Sequence, residues 1–125
     1  MKTRRGRGGY LSGLAAEEQA ARAYRKRGAE ILARRHRNEA GEIDIILLED
    51  GILVFVEVKM RKNRAELAES ITERQWRRLG LAANHYMMSH SNETGPIRGC
   101  RFDAVLIGAG GRLEIIENAR SFDEH

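Results

Sequence analysis

Asp44, Glu57 and Lys59 stand in the two most strand-like stretches of this 125-residue chain, Gly41-Glu42-Ile43-Asp44-Ile45-Ile46 and Val54-Phe55-Val56-Glu57-Val58-Lys59. Carboxylates of this kind are the donors that a hard divalent cation takes together with water and a substrate phosphate. Glu49-Asp50-Gly51 separates the stretches, and Asp-Gly marks a two-residue type I′ hairpin turn. With Asp50 and Gly51 at the turn, Glu49 faces Ile52, and the same register sets Asp44 opposite Glu57 and Glu42 opposite Lys59. Alternation then places these four on one face and Ile43, Ile45, Val56 and Val58 on the other. The polar face continues into Ile46, Leu48, Leu53 and Phe55, which must be covered, so the carboxylates lie at the edge of a cleft. Directly opposed side chains have Cβ atoms roughly 4.5–5.5 Å apart, where like charges are destabilising. Lys59 offsets part of that repulsion and a divalent cation offsets more. The competing reading is a salt-bridged sheet surface in which Glu42 pairs with Lys59 and Asp44 points outward.

Glu17 adds a third acid. At 100° per residue Leu14, Ala20, Ala21, Tyr24 and Gly28 share one arc of a helix, and Glu17 is the only charge inside it. A carboxylate on a buried helix face is costly without a partner, either an arginine at the boundary or a bound cation. On a second helix Ala68, Ile71, Leu79, Ala82 and Tyr86 make a stripe with Gln75 at its centre. An amide there either bonds a backbone group or supports the site from outside.

The elements that must position these residues follow from pattern. Leu11 to Arg27 predicts a helix ended by Gly28. Glu30 to Arg35, Glu42 to Leu48 and Ile52 to Met60 predict strands. Ser70 with Glu73 makes a capping box before a helix from Ile71 to Ser89. Asn92 to Gly99 is loop, and Arg101 to Ile107 and Arg112 to Glu117 are strands around Gly108-Ala109-Gly110-Gly111. The order α-β-β-β-α-β-β predicts an α/β (α+β) fold, a mixed central β-sheet flanked by helices.

Composition bounds the rest. The length suits one domain, read as residues 11–120 between a basic flexible arm, 1–10, and a tail, 121–125. The net charge of +4 resides in Lys2, Arg4, Arg5 and Arg7, since acids and bases balance after residue ten. The arm, with Arg34, Arg35 and Arg37 and with Arg61, Lys62 and Arg64, offers phosphate contacts or an ordinary solvated surface. No stretch approaches the roughly 20 apolar residues of a membrane span, and no apolar run follows the basic start, so no membrane and a cytoplasmic location are expected. Cys100, the single cysteine, cannot form an internal disulfide and suits packing near a strand start. His36, His85, His90 and His125 have no metal-site spacing.

Gly41-Glu42-Ile43-Asp44 followed by Val54-Phe55-Val56-Glu57-Val58-Lys59 resembles the Asp, (D/E)-X-K signature of the PD-(D/E)XK nuclease superfamily, with Ile43 in place of its proline. More closely, the chain resembles the bacterial YraN family of endonuclease-like proteins. The counterparts are Gly13 to Ala20, Gly41 to Ile46, Val54 to Arg61 and Arg101-Phe102-Asp103, with Gln75 where that family often has lysine. The resemblance implies a restriction-endonuclease-like core shared with Holliday-junction resolvases. It implies Asp44 and Glu57 as metal ligands, Lys59 beside the attacking water, and Glu17 completing the site.

The expectation is therefore a Mg²⁺- or Mn²⁺-dependent nuclease hydrolysing phosphodiester bonds of DNA, branched or structured DNA included. Asp44, Glu57 and the Val58 carbonyl would hold the cation, with Glu17 and Glu42 as further candidates. By analogy with resolvases a homodimer is a further expectation. Two alternatives stay open: a non-catalytic nucleic-acid-binding module of the same fold, and an accessory subunit that docks a protein.

Overall fold

The computed structural model describes residues 2–63, 65–66, 70–90 and 95–120, with side chains from Gly13 onward. Arg64, His125 and the tail 121–125 lie outside the described residues, as do the side chains of Arg4, Arg5 and Arg7. Helix α1 spans Lys2–Lys26, followed by β1 (Glu30–Asn38), β2 (Gly41–Glu49) and β3 (Ile52–Met60). Helix α2 (Glu73–Ser89), β4 (Gly99–Ile107), a single 3-10 turn and β5 (Leu113–Arg120) complete the order. The strands form one five-stranded sheet ordered β1-β2-β3-β4-β5, antiparallel except for β3 beside β4. A parallel pair needs a crossover, and α2 supplies it. The result is the mixed α+β sheet that the element order predicts.

The helices divide the faces. Ala16, Ala20, Ala21 and Tyr24 of α1 bury Ile45, Leu47, Val54, Val56 and Val105. Leu79, Ala82, Ala83 and Tyr86 of α2 bury Ile43, Ile46, Leu53, Phe55 and Phe102 on the opposite side. Leu53 to Val56 are all buried because the central strands are covered on both faces. Ile43 joins the α2 side, against the expectation that it shares a face with Ile45.

Local chemistry explains the boundaries. Asp50 (φ 53°) and Gly51 (φ 79°) both take positive φ, the type I′ geometry, and Glu49 faces Ile52. Helix α1 closes on Gly28 (φ 95°): its N–H reaches the Arg25 carbonyl and the Ala29 N–H reaches that of Tyr24, a Schellman motif. The same helix begins at Lys2 rather than Leu11, so the segment expected as an arm has helical backbone. Once α1 is nucleated on the sheet, extending it costs far less than starting a new helix. Strand β1 runs on to Asn38 because its pairing with β2 continues to Gly41. The capping box of α2 is Thr72 with Gln75, not Ser70 with Glu73. Ile71 and Trp76 flank that box and pack in one cluster with Ala104 and Leu106, the arrangement of a hydrophobic staple.

A buried polar network ties α1 to the sheet near the Asp50-Gly51 hairpin. Asp103, fully buried, accepts from the Tyr24 hydroxyl (2.7 Å), Arg101 Nε (2.9 Å) and the Asn118 N–H (3.0 Å). Arg101 also donates to Glu49 (2.8 Å), which Arg27 grips through two nitrogens. Every oxygen of the Asp103 carboxylate is therefore satisfied, as burial of a charge demands. Arg101 and Asp103 of the late strand thus hold the fold together.

Candidate active site

Strands β2 and β3 pair from the hairpin only as far as Ile45 and Val56. Beyond that point β2 stays with β1 to Gly41, and β3 stays with β4 to Met60. The strands therefore part at Asp44 and Glu57, and the expected ladder pairs Asp44–Glu57 and Glu42–Lys59 do not form. Each strand follows the neighbour that still satisfies its backbone. Asp44 compensates on the open side, its Oδ2 accepting from the Val58 N–H at 2.8 Å. In an extended strand the N–H and C=O of one residue point the same way, so the Val58 carbonyl opens toward the same gap.

A cleft of about 380 Å³ lies at this parting and is reached from both faces of the sheet. Glu17 enters from α1, and Gln75 and Arg78 enter from α2. Glu42, Asp44, Glu57, Val58 and Lys59 enter from the strands. The structure thus collects at one cavity all four residues expected as catalytic, although they come from three separate elements.

The electrostatics are tense. Burial, a hydrogen bond with Asp44 and the negative charge of Asp44 push the Glu57 carboxyl up to about 9, with Lys59 opposing. Near neutral pH Glu57 therefore favours its protonated form. Glu17 is 7% exposed, and burial followed by the Asp44 charge raises its carboxyl above the ordinary range against Arg35 and Arg34. Arg35 approaches Glu17 Oε2 at 3.4 Å, a long contact, while the buried Oε1 has no partner. The boundary arginine expected for Glu17 reaches only one of its oxygens.

Other candidates are placed differently. Glu42 is exposed and pairs with Arg37 at 3.1 Å across β1 and β2, not with Lys59. Gln75 is exposed, and its Oε1 accepts from the Thr72 N–H at 2.8 Å, so its amide caps α2. Arg34 is joined to Glu18 at 2.6 Å, and Arg61 donates to the Met60 carbonyl. Arg61 and Lys62 line a second cavity with Arg112. Cys100 is half-buried beside Met87, with its thiol pushed up by burial. His36, Tyr86 and His90 form a ring cluster, with Tyr86 and His90 stacked at 4.2 Å.

Arg78 escapes sequence reasoning, because an arginine on the polar side of a helix looks like any solvated charge. Its nearest signal is Gly41, the glycine against which its stem lies.

The donor set suits a hard cation. Asp44, Glu57 and Glu17 offer oxygen, and Glu17, which lines the cleft, has a buried Oε1 without a hydrogen-bond partner. Among the described residues no three His, Cys, Asp or Glu side chains converge into a complete site, so a cation here would also draw on backbone carbonyl and water. No described helix is long and apolar enough to cross a membrane.

The chain matches the model of a protein family described as "Uncharacterised protein family UPF0102" over residues 16–107. It is 44% identical over 116 residues to a UPF0102 protein of Azorhizobium caulinodans, covering 93% of this chain and 87% of that one. A UPF0102 protein of Ruegeria pomeroyi is 42% identical over 115 residues, 92% of each chain. One from Granulibacter bethesdensis is 42% identical over 120 residues, 94% of this chain and 75% of that one. The matched region holds Glu17, both parted strands, α2 and β4, and by that match the chain belongs to the UPF0102 family.

Proposed function

We propose that this protein is a divalent-cation-dependent nuclease that hydrolyses phosphodiester bonds in DNA. The observation that carries the reading is the parting of β2 and β3 at Asp44 and Glu57, which opens a cleft where carboxylates would otherwise be sealed in a ladder. A salt-bridged sheet surface would have kept its pairs and left no cavity.

Asp44, Glu57 and the Val58 carbonyl would hold Mg²⁺ or Mn²⁺, with Glu17 supporting the set through water. When bound, the cation would polarise the scissile phosphate and make water a stronger nucleophile at neutral pH. The Val58 N–H orients Asp44, fixing the carboxylate toward the gap. Arg35 approaches one oxygen of Glu17 and leaves the other without a hydrogen-bond partner. Lys59 lies beside Glu57 and stabilises negative charge developing on the phosphate. Arg61 and Lys62, which line the second cavity, supply further phosphate contacts. Branched DNA is the favoured form, by resemblance to resolvases.

The test is a Mn²⁺ titration by calorimetry of the wild type, Asp44→Asn and Glu57→Gln, followed by a cleavage screen over junction, flap, nicked and single-stranded DNA and RNA. Saturable binding lost in both variants, with cleavage of one DNA form, is the expected result. Wild-type cleavage rates in Asp44→Asn would overturn the reading. Salt-sensitive DNA binding without turnover in any form would instead make this a binding module.

A further inference from the structure

Six charged side chains line the cleft: Glu17, Glu42, Asp44, Glu57, Lys59 and Arg78. The acids each have a local partner. Glu17 leans on Arg35, Glu42 on Arg37, and Asp44 on the Val58 N–H. Glu57 is held by its hydrogen bond with Asp44 and by the field of Lys59. Arg78 has neither hydrogen bond nor ion pair among the described residues. Most other arginines near these elements are spoken for: Arg34 on Glu18, Arg101 on Asp103, Arg120 on Glu73.

Arg78 is exposed, but its stem is braced against the sheet. Its stem lies over Gly41 at the start of β2, where an added Cβ would stand 3.2 Å from Arg78 Cγ and 3.6 Å from Cδ. The helix fixes its direction from both sides. One turn earlier, the Gln75 amide is occupied in capping, and the next residue, Leu79, is buried in the core. Helix α2 therefore delivers one cation to the cleft, from the face opposite Glu17.

We propose that Arg78 is the substrate-gripping residue of this cleft, its guanidinium contacting the non-bridging oxygens of a DNA phosphodiester. The proposal rests on the nuclease reading for the nature of the ligand, and it adds the residue that recognises it. A polyanion entering a cavity lined by four acids needs a cation that those acids have not already neutralised. Guanidinium is permanently charged, planar and able to donate two parallel hydrogen bonds to one phosphate, which an ammonium such as Lys59 cannot reproduce. Glu17, Asp44 and Glu57 would serve the cation from one side while Arg78 holds the phosphate from the other.

The test compares Arg78→Ala and Arg78→Lys with the wild type, using a fluorescent four-way DNA junction as probe and Ca²⁺ in place of Mg²⁺. Affinity is measured across salt concentrations, and Mn²⁺ affinity is measured separately. Arg78→Ala is expected to weaken DNA binding by roughly five- to fiftyfold and to lower the salt slope by about one. Its Mn²⁺ affinity should stay within about twofold of wild type. Arg78→Lys should recover the salt slope but only part of the affinity. Unchanged DNA affinity in Arg78→Ala would overturn the proposal, as would a wild type that does not bind the junction. A parallel loss of Mn²⁺ and DNA affinity would also overturn it, by making Arg78 a support of the carboxylates. The two readings separate cleanly. If no DNA is cleaved but Arg78→Ala loses affinity, the nuclease reading fails and the Arg78 assignment stands. If cleavage and affinity both survive Arg78→Ala, the reverse holds.

Discussion

Val58 donates its backbone N–H to Asp44 Oδ2 at 2.8 Å, so a side chain of β2 occupies the place where the backbone of β2 would otherwise have bonded β3. Asp44 is thus both part of the opening and a proposed ligand in it. These two roles separate by mutation. Asn can still accept from Val58 through its carbonyl oxygen but lacks the charge. Asp44→Asn is expected to melt close to wild type and lose Mn²⁺ binding. Asp44→Ala, which leaves the Val58 N–H without its acceptor, should lose roughly 1–3 kcal/mol as well. Equal stability of the two variants in urea titrations would contradict this division.

Glu17 should show a trade-off between stability and function. Its burial and the Asp44 charge disfavour ionisation, so the carboxylate is held at a cost when no cation is present. Glu17→Gln is expected to leave thermal stability unchanged or higher while lowering Mn²⁺ affinity by roughly ten- to a hundredfold. A variant that is both less stable and unaltered in Mn²⁺ affinity would show that Arg35 is the reason for Glu17.

Glu57 contributes a pH dependence to the stability of the metal-free protein. Its folded value, about 9, lies above the ordinary 4.5. Between those values the native state keeps a proton that the unfolded chain has released, so stability falls as pH rises. Glu57→Gln should remove the part of that decline that Glu57 causes, and the difference in melting temperature between variant and wild type should grow from pH 5 to pH 9. Saturating Mn²⁺ is expected to restore wild-type stability at high pH, because binding expels the proton. Parallel wild-type and variant curves across that window would refute the assignment.

The network around Asp103 predicts a loss confined to stability. Tyr24→Phe removes a hydrogen bond to a buried carboxylate and should cost about 1.5–3 kcal/mol. Asp103→Ala leaves Arg101 deprived of its main partner and should cost about 3–5 kcal/mol. In each case Mn²⁺ affinity of the folded fraction should match wild type, as read by titration well below the melting point.

Much of this was legible from residues alone, for reasons of range. The Asp50-Gly51 turn depends on its own two backbone conformations, and the register down to Ile45 and Val56 follows from it. The burial of Glu17 follows from helical period. The parting of β2 from β3 depends on β1 and β4 claiming the outer halves, which no local pattern encodes. Ser70-Glu73 and Thr72-Gln75 both match a capping box, and the packing of Ile71 and Trp76 selects the second. Arg101 and Asp103 take partners from α1, β2 and β5, too distant in sequence for any spacing rule. Arg78 becomes distinctive only when Gly41 is placed beneath its stem.

Helix α1 acts as a ruler between two fixed marks. Tyr24 is pinned to Asp103, and Glu17 lies seven residues before it, about 10 Å along the axis and within ~20° of the same azimuth. That spacing is a phase relation, so its tolerance to change is quantised. Lengthening the helix by one residue between the marks would swing the carboxylate by ~100° out of the cleft, whereas adding seven would return its heading and displace it by two turns. Substitutions along that stretch can therefore drift, but its length cannot.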